Sequence, residues 1–184
     1  MLNIGVVTFD YKKNQKESKR VGQRMITIGK QQQQYTRPLH MERLDASKYI
    51  NKDNHVSDVW LDKMRAFDGL IFVIPKDSRD IDNQLEASIK EASAELQYKT
   101  FLLVEYGHEE DRVIGVDVKD LARSVEMQVI YKTVEIPMEG ASFFPGYKTV
   151  EDMEKATTEE IKKLFYFTMG SKYTRSLLTR LTVD

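Results

Sequence analysis

The chain has 184 residues, 41% hydrophobic and 31% charged, which excludes a disordered chain and predicts a single domain over 1–184 with a packed core. Its 28 basic and 29 acidic residues leave a formal net charge of −1. Because the chain has no excess of positive charge to attract a polyanion, we expect no nucleic-acid partner. The absence of cysteine excludes disulfides and cysteine-ligated metals, and no apolar run is long enough to cross a membrane.

Short apolar runs predict the strands of a sheet, and they lie at residues 4–9, 69–74, 101–104 and 129–136. The first three are nearly continuous in Val, Ile, Leu and Phe, as is typical of parallel strands that are buried on both faces. A weaker strand is predicted at 39–44, and its poor pattern indicates a sheet edge. Because the chain runs straight into its first strand without the pattern of a signal peptide, we expect a cytoplasmic protein.

Between the strands, the apolar spacing becomes helical. Stripes with this spacing lie at residues 18–28, 56–67, 81–96 and 121–125. A last helix is expected to begin at Thr157, because Thr157 and Glu160 have the spacing of a capping box. Residues 137–150 are predicted to form a long loop. Strands that alternate with helices predict an open, doubly wound sheet with right-handed crossovers.

Ligands of such sheets bind beyond the carboxyl ends of the strands, where the strand order reverses. That rule selects three loops, at residues 8–18, 75–80 and 105–112. The first loop combines hydrogen-bond donors and positive charge with the start of a helix, so it has the parts of a phosphate site at Thr8, Lys12, Asn14 and Ser18. The alternative is a solvated, lysine-rich loop in which Ser18 merely caps the helix.

Residues 60–75 resemble the NADPH-dependent FMN reductase family of the flavodoxin-like fold, because a helix ending at Asp68-Gly69 leads into an apolar strand that ends at Pro75. The resemblance implies an α/β three-layer sandwich, with a five-stranded parallel sheet of order 2-1-3-4-5 and helices on both faces. It also implies bound FMN, NAD(P)H as reductant, and a homodimer or larger homo-oligomer. The phosphate would lie in the first loop, and the ring would be flanked by residues of the other two loops: Pro75, Lys76, Asp77, Ser78, Tyr106, Gly107 and His108.

The three loops also depart from the family pattern. Asp10 lies near the place of a phosphate-binding arginine, and residues 76–78 replace a Glu-Tyr-Asn turn. Residues 107–111, which include three adjacent carboxylates, replace a glycine-rich loop. Two functions therefore stay open. The first is an NAD(P)H-dependent flavin reductase or quinone-type oxidoreductase that uses bound FMN. The second is a non-catalytic flavodoxin-like scaffold that has lost flavin and works through dimerisation or partner contact.

Other chemistry has less support in the sequence. His108, Glu109 and Asp111 lack the spacing of zinc or calcium ligands, so no metal site is predicted. No catalytic side chain is nominated, because hydride transfer by a flavin does not need one. Phe143, Phe144 and the leucines of 177–181 are predicted contact surfaces, so the segment 157–184 is expected to take part in an oligomer contact.

Overall fold

The computed structural model describes residues 1–9, 15–32, 38–76, 81–107, 115–138, 147 and 149–181. Within these residues, strands and helices alternate along the chain, as the sequence predicts. The strands are β1 (Leu2–Thr8), β2 (Leu39–Asp45), β3 (Gly69–Pro75), β4 (Thr100–Gly107), β5 (Gln128–Val129) and β6 (Val134–Pro137). The helices are α1 (Gln15–Gln31), α2 (Asp58–Ala66), α3 (Ile81–Lys90), α4 (Ser93–Leu96), α5 (Gly115–Ser124) and α6 (Val150–Leu181).

The strands form one parallel sheet in the order β2-β1-β3-β4-β5, which confirms the predicted order and the edge position of β2. The strand predicted at 129–136 is divided into two short pieces that both pair with β4. β5 lies beside the start of β4, at Thr100 and Phe101, whereas β6 lies beside its end, from Val104 to Gly107. The fifth position of the sheet is thus an interrupted strand, and β6 is a sixth strand that the sequence did not separate from β5.

A hydrophobic core lies on each face of the sheet, because successive side chains of a strand point to opposite faces. On one face, Phe72 and Phe101 pack with Trp60 of α2 and with side chains of α3 and α5. On the other face, Ile71 and Leu102 pack with side chains of α1 and α6, such as Met25 and Phe165. β3 and β4 are buried along their whole length, as expected for central strands covered on both sides.

The last helix begins seven residues earlier than predicted. Thr157 lies inside α6, is buried, and its hydroxyl donates to the carbonyl of Met153 at 2.7 Å. The helix start is marked instead by Thr149, whose hydroxyl accepts a hydrogen bond from the N–H of Asp152 at 3.1 Å. The capping-box assignment was wrong because a threonine can also bond back to the preceding turn within a helix.

The third helical stripe is also divided. It was predicted as one helix over residues 81–96, but α3 ends at Lys90 and the short α4 begins at Ser93. Leu85, Ile89, Ala92 and Leu96 are all buried in the same core, so the apolar spacing identified the buried face correctly. The spacing of apolar residues cannot reveal a break between two helices when the same residues stay buried. Separately, no helix in the described ranges is long and apolar enough to cross a membrane.

Candidate functional site

The carboxyl ends of β1, β3 and β4 lie side by side at one edge of the sheet, called the carboxyl edge here. In the pairing register, Thr8 lies beside Val73, Pro75 beside Tyr106, and Gly107 beside Pro137. The structure therefore brings together five of the residues that the sequence analysis selected: Thr8, Pro75, Lys76, Tyr106 and Gly107. Ser18 lies in the first turn of α1. The other five lie outside the described residues: Lys12, Asn14, Asp77, Ser78 and His108.

Thr8 is completely buried at the end of β1 and meets an arginine from the neighbouring strand. Its hydroxyl donates to the carbonyl of Leu44 at 3.2 Å and accepts a hydrogen bond from Nη1 of Arg43 at 3.0 Å. Gly22 of α1 makes room for this pair, since a Cβ there would come within 2.8 Å of Thr8 Cγ2 and 3.2 Å of Arg43 Cδ. A half-buried guanidinium is thus held at the carboxyl end of β1.

Ser18 is also completely buried, and its hydroxyl donates to the carbonyl of Gln15 at 3.3 Å. Because Ser18 lies inside α1, it is not the residue that caps the helix, and this part of the alternative is wrong. The same helix start is tied to the sheet by Arg20, whose Nη2 donates to the carbonyl of Pro137 at 3.1 Å and lies 2.8 Å from the carboxylate of Glu17.

Lys76 lies inside the carboxyl edge rather than on its surface. Its N–H donates to the carbonyl of Tyr106 at 2.9 Å, and its ammonium donates to Oε2 of Glu135 at 2.6 Å. The lysine side chain is only 4% exposed. Glu105, also buried, is the register partner of Glu135 on the intervening strand β4. This cluster holds the ends of β3, β4 and β6 together and balances the charge of Lys76 within the edge.

Tyr106 and Gly107 end β4 in different ways. The side chain of Tyr106 is completely buried in the core on the α1 and α6 side, so its ring packs inside the protein. Gly107 has a φ of 147°, a conformation that side-chain-bearing residues rarely adopt, so glycine is needed where the chain leaves the strand. Nearby, burial raises the pKa of Tyr147, and the carboxylates of Glu135 and Glu160 raise it further.

Three further residues contribute to this edge although the sequence did not predict them as site residues: Arg43, Glu135 and Arg20. Arg43 had a usable signal. Leu39 and Met41 are buried on the same side of β2, and Arg43 follows them in the same alternation. An arginine in phase with buried residues at the carboxyl end of a strand indicates a charge held inside, beneath a helix. Glu135 and Arg20 had no comparable signal, because their partners lie 59 and 117 residues away.

The described residues contain no cluster of side chains that could bind a metal ion. Within them, no group of three or more His, Asp or Glu side chains is close enough to hold a metal ion. The charged side chains of the described part of the carboxyl edge include pairs of opposite sign, Lys76 with Glu135 and Arg20 with Glu17.

Comparisons with known proteins identify the fold. No family model and no curated protein matches the sequence. Among solved structures, the chain is similar to an oxidoreductase from Corynebacterium diphtheriae, with 10% identity over 90% of this chain and 97% of the other and a TM-score of 0.64. It is similar to RosB with the bound intermediate 8-demethyl-8-formylriboflavin-5'-phosphate, with 11% identity over 100% of this chain and 88% of the other and a TM-score of 0.65.

A third similar structure is the two-electron reduced flavodoxin of Megasphaera elsdenii. It has 11% identity over 86% of this chain and 98% of the other, with a TM-score of 0.55. At such low identity the likeness concerns the fold alone. Together with the strand order and the helices on both faces, these similarities establish a flavodoxin-like α/β fold.

Proposed function

We propose that this chain binds FMN at the carboxyl edge and acts as an NAD(P)H-dependent flavin reductase or quinone-type oxidoreductase. The observation that carries the proposal is the guanidinium of Arg43, held against Thr8 at the end of β1. In a doubly wound sheet of this order, ligands bind at this edge, where the strand order reverses between β1 and β3. The similar structures include a flavodoxin, an oxidoreductase and a protein with a bound riboflavin-phosphate intermediate.

A half-buried arginine is well suited to a phosphate. Its planar guanidinium presents several N–H donors, which match phosphate oxygens, and it stays charged at every physiological pH. Nη1 of Arg43 donates a hydrogen bond to Thr8, and this bond fixes the direction of the guanidinium. It therefore takes the place of the positive charge that the family carries in its first loop, where this chain has Asp10. Lys12, Asn14 and Ser18 remain the further phosphate residues of the proposal.

The remaining edge residues have structural tasks in this proposal. Lys76 and Glu135 hold the strand ends at a constant spacing, and Gly107 lets the chain turn away from β4 without a side chain. Bound FMN supplies the hydride and electron transfer, and the protein supplies binding and orientation. Asp77, Ser78 and His108 follow directly on these strand ends and are proposed, with Pro75 and the strand end of β4, to flank the flavin ring.

The phosphate role of Arg43 is tested by comparing FMN with riboflavin, which lacks the phosphate. Flavin fluorescence titrations measure both dissociation constants for the wild type and for Arg43→Gln. We expect the substitution to raise the Kd of FMN about tenfold or more, because a hydrogen bond to a charged group contributes about 1.5–3 kcal/mol. The Kd of riboflavin should change much less. The control is Arg123→Gln, since Arg123 lies on the exposed surface of α5, paired with Asp120.

Two results would count against these assignments. A wild-type protein that retains no FMN after desalting refutes flavin binding itself. Equal losses of affinity for FMN and riboflavin would show that Arg43 supports the edge without contacting a phosphate. If FMN is retained, anaerobic addition of NADH or NADPH must bleach the flavin absorbance, and subsequent addition of a quinone must restore it.

The scaffold function remains the second candidate, because one observation favours it. The polar groups of Thr8, Ser18 and Lys76 are all engaged in hydrogen bonds within the chain. A protein that had lost its cofactor would satisfy buried polar groups internally in this way, since leaving them without partners is costly. Failure to retain FMN, together with a stable fold, would support this candidate over the enzyme.

A further inference from the structure

The C-terminal part of α6 extends past the sheet. The helix has 32 residues, so it is about 48 Å long at 1.5 Å per residue, whereas strands of seven or eight residues span about 23–27 Å. Lys172 and Arg175 make its hydrogen bonds to the amino ends of the strands, at the carbonyls of Met1 and Tyr98. Beyond Arg175, the described side chains are exposed. The end of α6 beyond Arg175 therefore projects from the edge formed by the amino ends of the strands, called the amino edge here, opposite the candidate flavin site.

One side of this part of the helix is apolar although it faces solvent. We call it the outer stripe, and it consists of Tyr166, Phe167, Gly170, Tyr173, Leu177 and Leu178. Its five large side chains are between 40% and 68% exposed. They make up five of the ten exposed large hydrophobic residues in the described part of the chain. Such a concentration on one helix face marks an interaction surface, because scattered single residues are the norm on a monomer.

Gly170 lies at the centre of the outer stripe. A Cβ at this position would meet nothing within 4 Å, so no packing within the chain requires a glycine. Glycine inside a helix costs about 1 kcal/mol relative to alanine. A second helix that crosses at this point would explain the residue, since the missing side chain lets two backbones approach closely.

We propose that the outer stripe is a self-association surface, on which α6 of a second copy of this chain crosses antiparallel at Gly170. Two-fold symmetry then places residue 163 level with residue 177, and residue 166 level with residue 174. It also brings Arg180 of one copy near Glu159 of the other. A parallel pair would instead place Glu159, Lys163 and Arg180 each beside an identical charge, which is repulsive. Charge thus selects the antiparallel orientation.

The apolar surface continues from the outer stripe to the edge of the sheet. A groove of about 420 Å³ is lined by Tyr166, Phe167 and Gly170 of the stripe and by Tyr98 and Met127 next to β5. Its polar lining consists of Glu126, Gln128, Ser171 and Thr174. Tyr98 is itself 44% exposed. The groove widens the contact beyond a single pair of helices, and an isologous interface of this kind closes as a dimer. This inference is independent of the proposed function, because the surface lies at the opposite edge of the sheet.

The association is tested by sedimentation velocity over a range of protein concentrations. We expect a reversible dimer for the wild type. Gly170→Leu should raise the dimer dissociation constant at least about tenfold, because the crossing point is blocked while the space around Gly170 leaves the single chain intact. Val59→Ala is the matched control, since Val59 is 54% exposed but lies on α2, which packs against the opposite face of the sheet from α6. It should dimerise like the wild type.

A monomeric wild type at all concentrations would overturn the proposal, even if the stripe then bound a different protein. Unchanged dimerisation of Gly170→Leu would also overturn it. Circular dichroism and thermal unfolding of each variant show that the fold is kept, so that a loss of association is assigned to the surface.

The orientation is tested by disulfide cross-linking, because the chain has no cysteine of its own. Gly170→Cys should form a covalent dimer on mild oxidation, since the two copies of residue 170 meet at the two-fold axis. Leu177→Cys alone should not, because the two copies of residue 177 are about 21 Å apart along the helix axis in an antiparallel pair. A mixture of Leu177→Cys with Lys163→Cys should cross-link as a heterodimer. Efficient cross-linking of Leu177→Cys with itself would refute the antiparallel arrangement.

Discussion

Lys99 is a buried cation that closes the end of a helix. Its ammonium donates to the carbonyls of Met64 and Arg65, at 2.5 and 3.0 Å, and these carbonyls belong to the last turn of α2. A cation at this end of a helix is favourable, because the carbonyl groups there carry partial negative charge. Burial nevertheless lowers the pKa of Lys99 to about 8, with a further lowering by Arg175 that Asp68 partly offsets. The hydrogen bonds of Lys99 therefore stabilise the fold, whereas the burial of its positive charge destabilises it.

The first prediction concerns the pH dependence that Lys99 gives to stability. Between the folded pKa of about 8 and the ordinary value of 10.5, the unfolded chain keeps a proton that the folded chain releases. The free energy of unfolding therefore rises with pH in this window. Urea unfolding at pH 7.5 and pH 10 should show that the wild type gains about 2 kcal/mol relative to Lys99→Met. The comparison between the two proteins removes the contributions of other titrating groups. Equal changes in both would contradict the burial of the charge.

At the scale of the elements, Asp68 joins three parts of the fold. It lies just before β3, and its Oδ2 accepts hydrogen bonds from the N–H of Asn3 at 3.0 Å and from the ammonium of Lys172 at 2.7 Å. Its Oδ1 lies 3.4 Å from Nη2 of Arg175. One buried carboxylate thus attaches the C-terminal part of α6 to the amino ends of β1 and β3.

The second prediction follows from that attachment. Asp68→Ala should lower the free energy of unfolding by about 2–4 kcal/mol, because it leaves buried donors and cations without their shared acceptor. Asp62→Ala is the matched control, since Asp62 forms an exposed pair with Arg65 on α2 and its side chain is 72% exposed. Its effect should stay below about 1 kcal/mol. Similar losses in the two variants, measured by urea unfolding, would contradict the attaching role of Asp68.

At the scale of the whole molecule, the two edges of the sheet have separate proposed tasks. The carboxyl edge carries the candidate flavin site around Arg43 and Thr8, and the outer stripe runs along the C-terminal part of α6, whose end projects from the amino edge. The rigid sheet and the length of α6 keep the two regions apart. Binding at one region therefore needs no contact with the other.

The third prediction is that dimer disruption does not weaken flavin binding. Gly170→Leu should bind FMN with a Kd within about twofold of the wild type, because sites without shared partners behave additively. A saturating excess of FMN should raise the thermal midpoint of both proteins, since a ligand at 100 times its Kd stabilises the folded state by about 2.7 kcal/mol. Fluorescence titration and thermal unfolding provide the two measurements. A large loss of FMN affinity in Gly170→Leu would show that the site depends on the dimer.

Much of the fold could be predicted from the sequence, because it depends on local patterns. Continuous apolar runs such as 69–74 indicate strands buried on both faces, and the helical spacing of Val21, Met25 and Ile28 indicates a helix with one buried face. The predicted strand order came from the resemblance of residues 60–75 to a family, and the structure confirms it. The carboxyl edge was predicted as the place for a site, because ligands of doubly wound sheets bind beyond the carboxyl ends of the strands. This rule needs no knowledge of side-chain positions.

By itself, then, the sequence determined most of the strands and helices, their buried faces and the edge of the sheet at which a ligand is expected, because each depends on residues close together in the chain. Only the tertiary structure decided that Arg43 meets Thr8, that Glu135 neutralises Lys76, and that Asp68 holds α6. The partners in these contacts are separated by 35, 59 and 104 residues. Such contacts depend on strand register and on how helices pack across the sheet, and neither leaves a periodic signal in the sequence.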